Sequence, residues 1–171
     1  MGSLPDHQSK YVESVVADFA SRDGGVRLAA RQVLVAVGRP AVGALVAALA
    51  DLRTQVRWEA AKSLGEIADP AATEALALTL DDKVFDIRWL AATALIAIGR
   101  EAILPVLRVV INCADSTLCR SSSHHVFHDL AANDEDLKET LAPVLAALDG
   151  RAPSVEVPLV AAATIAALAG G

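Results

Sequence analysis

The stretch VRWEAAKSLGEIADPAATEALALTLDD (residues 56–82) returns one repeat later as IRWLAATALIAIGREAILPVLRVVINCAD (residues 87–115), and a looser copy, VRLAARQVLVAVGRPAVGALVAALAD (residues 26–51), precedes both. The anchors Arg27, Arg57 and Arg88 lie 30 and 31 residues apart. A fixed period of that size belongs to stacked arrays, in which each unit buries its apolar face only against its neighbours. Within a copy, Ala60, Ala61, Leu64 and Ile67 fall at i, i+1, i+4 and i+7, the spacing of a helical core stripe. Ala91, Ala92, Leu95 and Ile98 repeat it, and no strand alternation interrupts.

Outward from these copies the chain reads as about ten helices in five pairs. A leading helix covers 6–21 and stops at Gly24-Gly25; others follow at 26–38, 40–51, 54–68, 71–81, 85–99, 101–112, 117–131, 134–149 and 155–169. Pro40 and Pro70 stand at helix starts, where a proline costs nothing. The composition agrees. Apolar residues make up 54% of 171 positions but aromatics only 4%, so the core is built of Ala, Leu and Val, which let helices approach closely.

The Val/Ile-Arg opening, the Ala-Ala pair and the Leu-x-x-Ile close resemble HEAT-like repeats, the nearest type being the subfamily first recognised in phycobilin lyases. The resemblance covers residues 26–130 well and the last quarter loosely. It implies an all-α, right-handed α-solenoid of about five HEAT-like helix pairs. The whole chain, 1–171, would form one domain: a capping helix in 1–25, repeats in 26–154 and a capping helix in 155–171. It also implies a structural ladder in which an aspartate before each repeated arginine bonds it: Asp51 with Arg57, Asp82 with Arg88 and, one residue short, Asp115 with Arg120; Arg57 and Arg88 are expected mostly buried and bonded to Asp51 and Asp82 or to nearby carbonyls. Family members include scaffolds, lyase subunits and a di-iron hydroxylase, so the fold does not carry the function. The hydroxylase relatives use repeated His-Glu pairs, and this chain has no such dipeptide.

In such repeats the arginine-bearing helix resembles the one that lines the concave face. Aligned, the copies give rows across that face: Leu28, Trp58, Trp89, Ser121; Ala29, Glu59, Leu90, Ser122; Gln32, Lys62, Thr93, His125; and Ala36, Glu66, Ala97, Asp129. Both tryptophans therefore occupy one row, on neighbouring helices close enough for the rings to touch. Tryptophan is enriched at interface hot spots. The expected partner-binding residues are Trp58, Glu59, Lys62, Trp89, Leu90 and His125. The bland alternative is that each tryptophan seals its own repeat seam. Glu59, Lys62 and Glu66 read as a salt-linked helical face rather than acid-base machinery.

The fourth repeat departs from the others in SSSHHVFHDL, residues 121–130. His124 and His128, four apart, share a helix face and are weak candidate metal ligands, with Cys113 and Cys119 upstream. The spacing matches no zinc module. His124 is expected instead as a buried, hydrogen-bonded core residue tying the fourth repeat to the third, and His125 as a groove residue whose titration makes binding pH-sensitive. The first functional expectation is a protein-interaction scaffold or adaptor without a cofactor. The alternative is a small metal-dependent or lyase-like enzyme centred on His124, His125 and His128.

A net charge of −6 and the lack of a basic run argue against nucleic acid. No uninterrupted apolar stretch reaches membrane length, and the start MGSLPDHQSK has no secretory pattern. Two cysteines fit a reduced compartment. The expectation is a cytoplasmic protein with a protein partner. A homodimer is expected through the apolar end VPLVAAATIAALAGG, residues 157–171, led by Leu159, Val160 and Leu168.

Overall fold

A computed structural model describes residues 6–170. The reading of the extreme N-terminus, residues 1–5, lies outside them. Ten α-helices follow one another: α1 (Asp6–Ala17), α2 (Gly24–Val37), α3 (Val42–Ala48), α4 (Thr54–Ile67), α5 (Thr73–Thr79), α6 (Phe85–Ile98), α7 (Ile103–Asn112), α8 (Thr117–Ala132), α9 (Glu135–Leu148) and α10 (Pro153–Gly170). The described residues contain no strand. Helices α3, α5 and α7 are each preceded by a 3-10 turn, at Arg39–Ala41, Pro70–Ala72 and Arg100–Ala102. A tighter turn of this kind reverses the chain in few residues.

The arginine-bearing helices α2, α4, α6 and α8 pack side by side as one layer, called the inner layer below. Helices α3, α5 and α7 back them. The aligned Leu34, Leu64, Leu95 and Phe127 are fully buried between the layers, and Ala60, Ala61, Ala91 and Ala92 are buried with them. Small residues let α4 and α6 close up: a Cβ built on Gly65 would stand 3.3 Å from that of Ala94. The end of the array departs from simple alternation. Helix α9 packs on α8, and it is α10 that lies against both α7 and α9.

Local chemistry sets the boundaries. Gly24 opens α2 rather than ending α1, because Asp23 accepts the Gly25 amide at 2.7 Å as an N-cap. Asp134 caps α9 through the amides of Asp136 and Leu137. Gly38 (φ 71°) and Gly99 (φ 88°) end α2 and α6 in the left-handed half of backbone space. The aligned position after α4 is Ala68, at φ 51° and ψ 38°. An L-residue with a Cβ is strained there, and glycine is not. Ala68→Gly is therefore expected to stabilise the fold by about 0.5–1 kcal/mol, read from the urea midpoint; an unchanged or lower midpoint would refute it.

The arginine ladder forms through backbone carbonyls, one of the two acceptors expected for Arg57 and Arg88, and not through the Asp51–Arg57 and Asp82–Arg88 side-chain pairs. Arg27, Arg57, Arg88 and Arg120 each donate to a backbone carbonyl six residues earlier, those of Ser21, Asp51, Asp82 and Ala114. Helical side chains lean toward the N-terminus, which brings each guanidinium back over its preceding loop. The aspartates cap their own turns: Asp51 accepts from the Arg53 amide and side chain, and Asp82 from the Val84 amide. The Asp82 carboxylate also receives Arg57 from the previous repeat in a two-pronged bond, 2.7 and 3.2 Å. Asp115 pairs with no arginine among the described residues.

The Arg53 hydrogen bonds hold Asp51 down to about 2. Burial pushes Asp82 up, but its bonds from Arg57 and Val84 and the fields of Arg57 and Arg88 outweigh this and leave it below the usual range. Both carboxyls are more acidic folded than unfolded, so their stabilisation is complete above the unfolded value near 4 and is lost as the pH falls below it, for Asp51 toward about 2. The melting temperature should drop across that window. Asp82→Asn should lower it at neutral pH and flatten the acid limb; parallel curves for the two proteins would show the pair to be inert.

Helix α10 closes the described array. By length and composition it is apolar enough to cross a membrane, with a mean hydropathy of 1.5 and 17% of its span buried. Its one charge, Glu156, interrupts the apolar run in the sequence.

Candidate functional site

The arginine that opens each inner helix faces the seam, so the next position turns outward. That row carries Leu28, 44% exposed, the half-buried Trp58, and Trp89, 50% exposed. One turn before Trp89 stands Phe85, 63% exposed and missed in the sequence reading. It lies outside the aligned core motif, but its i, i+4 spacing from Trp89 was a usable signal.

The rings are ordered. Phe85 and Trp89 stack with centroids 6.3 Å apart, and Trp89 stacks on His125 of α8 at 4.8 Å and 14°. The two tryptophans do not stack on each other. Instead Trp58 takes the guanidinium of Arg31 at 5.8 Å, and Phe85 takes that of Arg88 at 5.6 Å. Trp58 and Trp89 share a concavity of about 400 Å3 with Phe85, Asp86 and Leu90. A second hollow of about 250 Å3 lies toward α8, lined by Arg88, Trp89, Leu118, Ser121 and His125 among others. Four of the six expected contact residues thus gather on one face: Trp58, Trp89, Leu90 and His125.

Lys62 lies on the same helix but outside both hollows, half-exposed and 3.9 Å from Glu66, as a salt-linked face requires. Glu59 is not a surface residue at all. It is buried, and its carboxylate holds Arg27 at 3.3 Å, Arg31 at 2.7 Å and Gln55 at 3.2 Å. Arg31 explains the difference: it replaces the small Ala61 and Ala92 of later repeats and brings a charge into the seam that needs an anion.

The histidines do not converge on a metal site. His124 and His128 stack at 6.0 Å, His125 and His128 lean on Asp129 at 3.8 and 3.4 Å, and no three His, Cys, Asp or Glu among the described residues are placed to hold a metal ion. Cys113 and Cys119, expected as thiols, are joined in a disulfide between the end of α7 and the first turn of α8. His124 is not a core residue. Its side chain is 33% exposed and lies 3.3 Å from Asp149, so it ties α8 to the end of α9 rather than to the third repeat. An imidazole is too large for the slot that alanine fills in α4 and α6. Its neighbour Ser123, in the column of Ala60 and Ala91, is buried with an unpartnered hydroxyl.

Two layers of helices, one repeated arginine per inner helix and a ring-lined inner face define a helical-repeat solenoid protein. The family model for HEAT repeats matches residues 12–96 and again 42–126. The two matches together cover more than half of the chain, which belongs to the HEAT-repeat family. Among solved structures it is similar to the complex of CpcE and CpcF of phycocyanin lyase from Nostoc sp. PCC7120, with a TM-score of 0.58 and 19% identity over 88% of this chain and 98% of that one. A designed armadillo repeat protein, in complex with the peptide (KR)4, is similar at a TM-score of 0.47 and 20% identity, over 91% of this chain and 82% of that one. No curated protein matches the sequence. At these identities the likeness is one of fold.

Proposed function

We propose that this chain is a protein-interaction scaffold or adaptor whose partner docks on the inner face of α4, α6 and α8. The observation that carries this reading is the exposed Phe85–Trp89 stack beside Trp58: large rings held in order at the surface of a chain with few aromatics. The lyase neighbour, itself in a complex of two proteins, is consistent with it. Partner-bound protein should show slowed amide exchange along the inner helices and unchanged exchange in α5 and α7; protection confined to those two helices would reject the reading. A lyase-like role centred on His124, His125 and His128 has less support, since His125 and His128 lean on Asp129 while His124 contacts Asp149.

The homodimer belongs to the same proposal. Helices α9 and α10 leave an apolar groove of about 530 Å3 lined by Pro143, Leu159, Val160, Ala163 and Leu168 among others, and Leu159 is 69% exposed. An array end normally carries a polar cap. Sedimentation is expected to give a dimer that Leu159→Glu converts to monomer; a monomer at every concentration would end this part of the proposal.

A further inference from the structure

The concavity between α4 and α6 has a chemistry that deepens the interaction reading and rests on it. Its walls are Trp58 from one helix and Phe85, Asp86, Trp89 and Leu90 from the next. It therefore presents three aromatic rings and one carboxylate, and no lysine or arginine lines it. The face of an aromatic ring is the negative end of a quadrupole and attracts a cation placed over it. Asp86 adds a full charge. It is exposed and forms no ion pair among the described residues.

The chain already shows what these rings accept. Arg31, reaching across from α2, lies over Trp58, and Arg88 lies over Phe85. Neither guanidinium neutralises the concavity. Arg31 is held by Glu59 and Glu66 and stays outside it. Arg88 is bonded to the Asp82 carbonyl and lines the neighbouring hollow toward α8. The hollow between α4 and α6 is thus left with rings and an unpaired anion. Its complement is a flat cation that stacks on a ring and forks onto a carboxylate, which describes arginine better than lysine.

We infer that this concavity receives an arginine side chain of the partner polypeptide, stacked against Trp58 and Trp89 and paired with Asp86. The occupant is an arginine in an exposed, extended segment, and the negative charge of the chain as a whole, −6, favours such a segment over an acidic one.

Trp58 and Trp89 are the only tryptophans in the protein, so its intrinsic fluorescence reports on this site directly. The test titrates the full chain, at low salt, with the capped peptide Gly-Gly-Arg-Gly-Gly. Matched peptides carry citrulline, the uncharged analogue of arginine, or lysine in its place. The arginine peptide is expected to give a saturable change, with citrulline roughly fivefold weaker and lysine between them. Asp86→Asn, an exposed substitution whose helicity and melting temperature serve as the folding check, should bring the arginine-to-citrulline ratio close to one. Equal affinity for the two peptides, or a ratio unmoved by Asp86→Asn, overturns the inference; lysine binding more tightly than arginine overturns the stacked geometry. If the peptides fail while a protein partner still protects α4 and α6 from exchange, the arginine site falls and the interaction surface stands. Protection confined to α5 and α7 instead removes the surface itself.

Discussion

Glu59→Ala is expected to lose about 3 kcal/mol of stability. The carboxylate is buried in the seam between α2 and α4, with its side chain only 5% exposed, and three side chains converge on it: Arg27, Arg31 and Gln55. Truncation leaves two guanidinium groups in a partly desolvated seam with their anion gone. Removing one member of a fully buried pair costs about 3–5 kcal/mol. Both arginines keep some access to water, at 21% and 16%, which places this case at the lower end. Glu59→Gln keeps the shape and one acceptor, so it separates charge from packing and should fall between wild type and Glu59→Ala. Lys62→Ala, one turn on, loses only a long, half-exposed contact to Glu66 and should change stability by about 0.5 kcal/mol or less. Urea unfolding followed by circular dichroism measures all three. A loss below about 1 kcal/mol for Glu59→Ala would mean that the arginines find water at no cost and that the cluster is ornamental.

Glu59 also marks the boundary of what the sequence made legible. The repeat, the ten helices and the inner layer follow from columns whose members do the same physical job in every copy. The arginine at the seam, the first of the paired alanines (Ala30, Ala60, Ala91 and, as serine, Ser123, all buried), the leucine and the isoleucine are such columns. A column is readable because its members share an environment. Glu59 shares a column with Ala29, Leu90 and Ser122, which are open or half-open to solvent, and it differs because of Arg31, a residue in another column and another repeat. Local periodicity carries no information about such a pair; the signal was the arginine standing where later copies place alanine. The same reasoning explains Phe85, which belongs to no shared column, and His124, whose size its column could not accommodate. The ladder was legible in its arginines and in the loop residues Asp51 and Asp82 that accept from Arg57 and Arg88, but not in the bond from Arg57 to the next repeat's Asp82, which joins two different columns. The route of α10 onto α7 depends on how α9 packs, and no repeated residue records that.

The double substitution Trp58→Ala/Trp89→Ala is expected to weaken partner binding by more than a hundredfold while leaving the helical signal intact. Truncating a hot-spot residue costs about 2 kcal/mol or more, so two such residues in one concavity account for that loss even if their effects are less than additive. The two rings should not contribute equally. Trp89 is half-exposed and braced on both sides, by Phe85 and by His125, so it is held in place before a partner arrives and loses little freedom on binding. Trp58 is more buried and carries Arg31 on its ring, so part of its cost will appear as lost stability of α4 rather than lost affinity. Trp89→Ala alone should therefore account for most of the binding loss, with the smaller change in melting temperature. Leu52→Ala is the control: Leu52 is 98% exposed in the loop before α4, so it tests whether any exposed apolar side chain matters. Calorimetric titration with the protein partner, beside thermal melts of each variant, separates the two quantities. Binding by the double variant within about threefold of wild type, with both proteins folded, would show that the rings contribute less than about 1 kcal/mol and that the partner docks elsewhere.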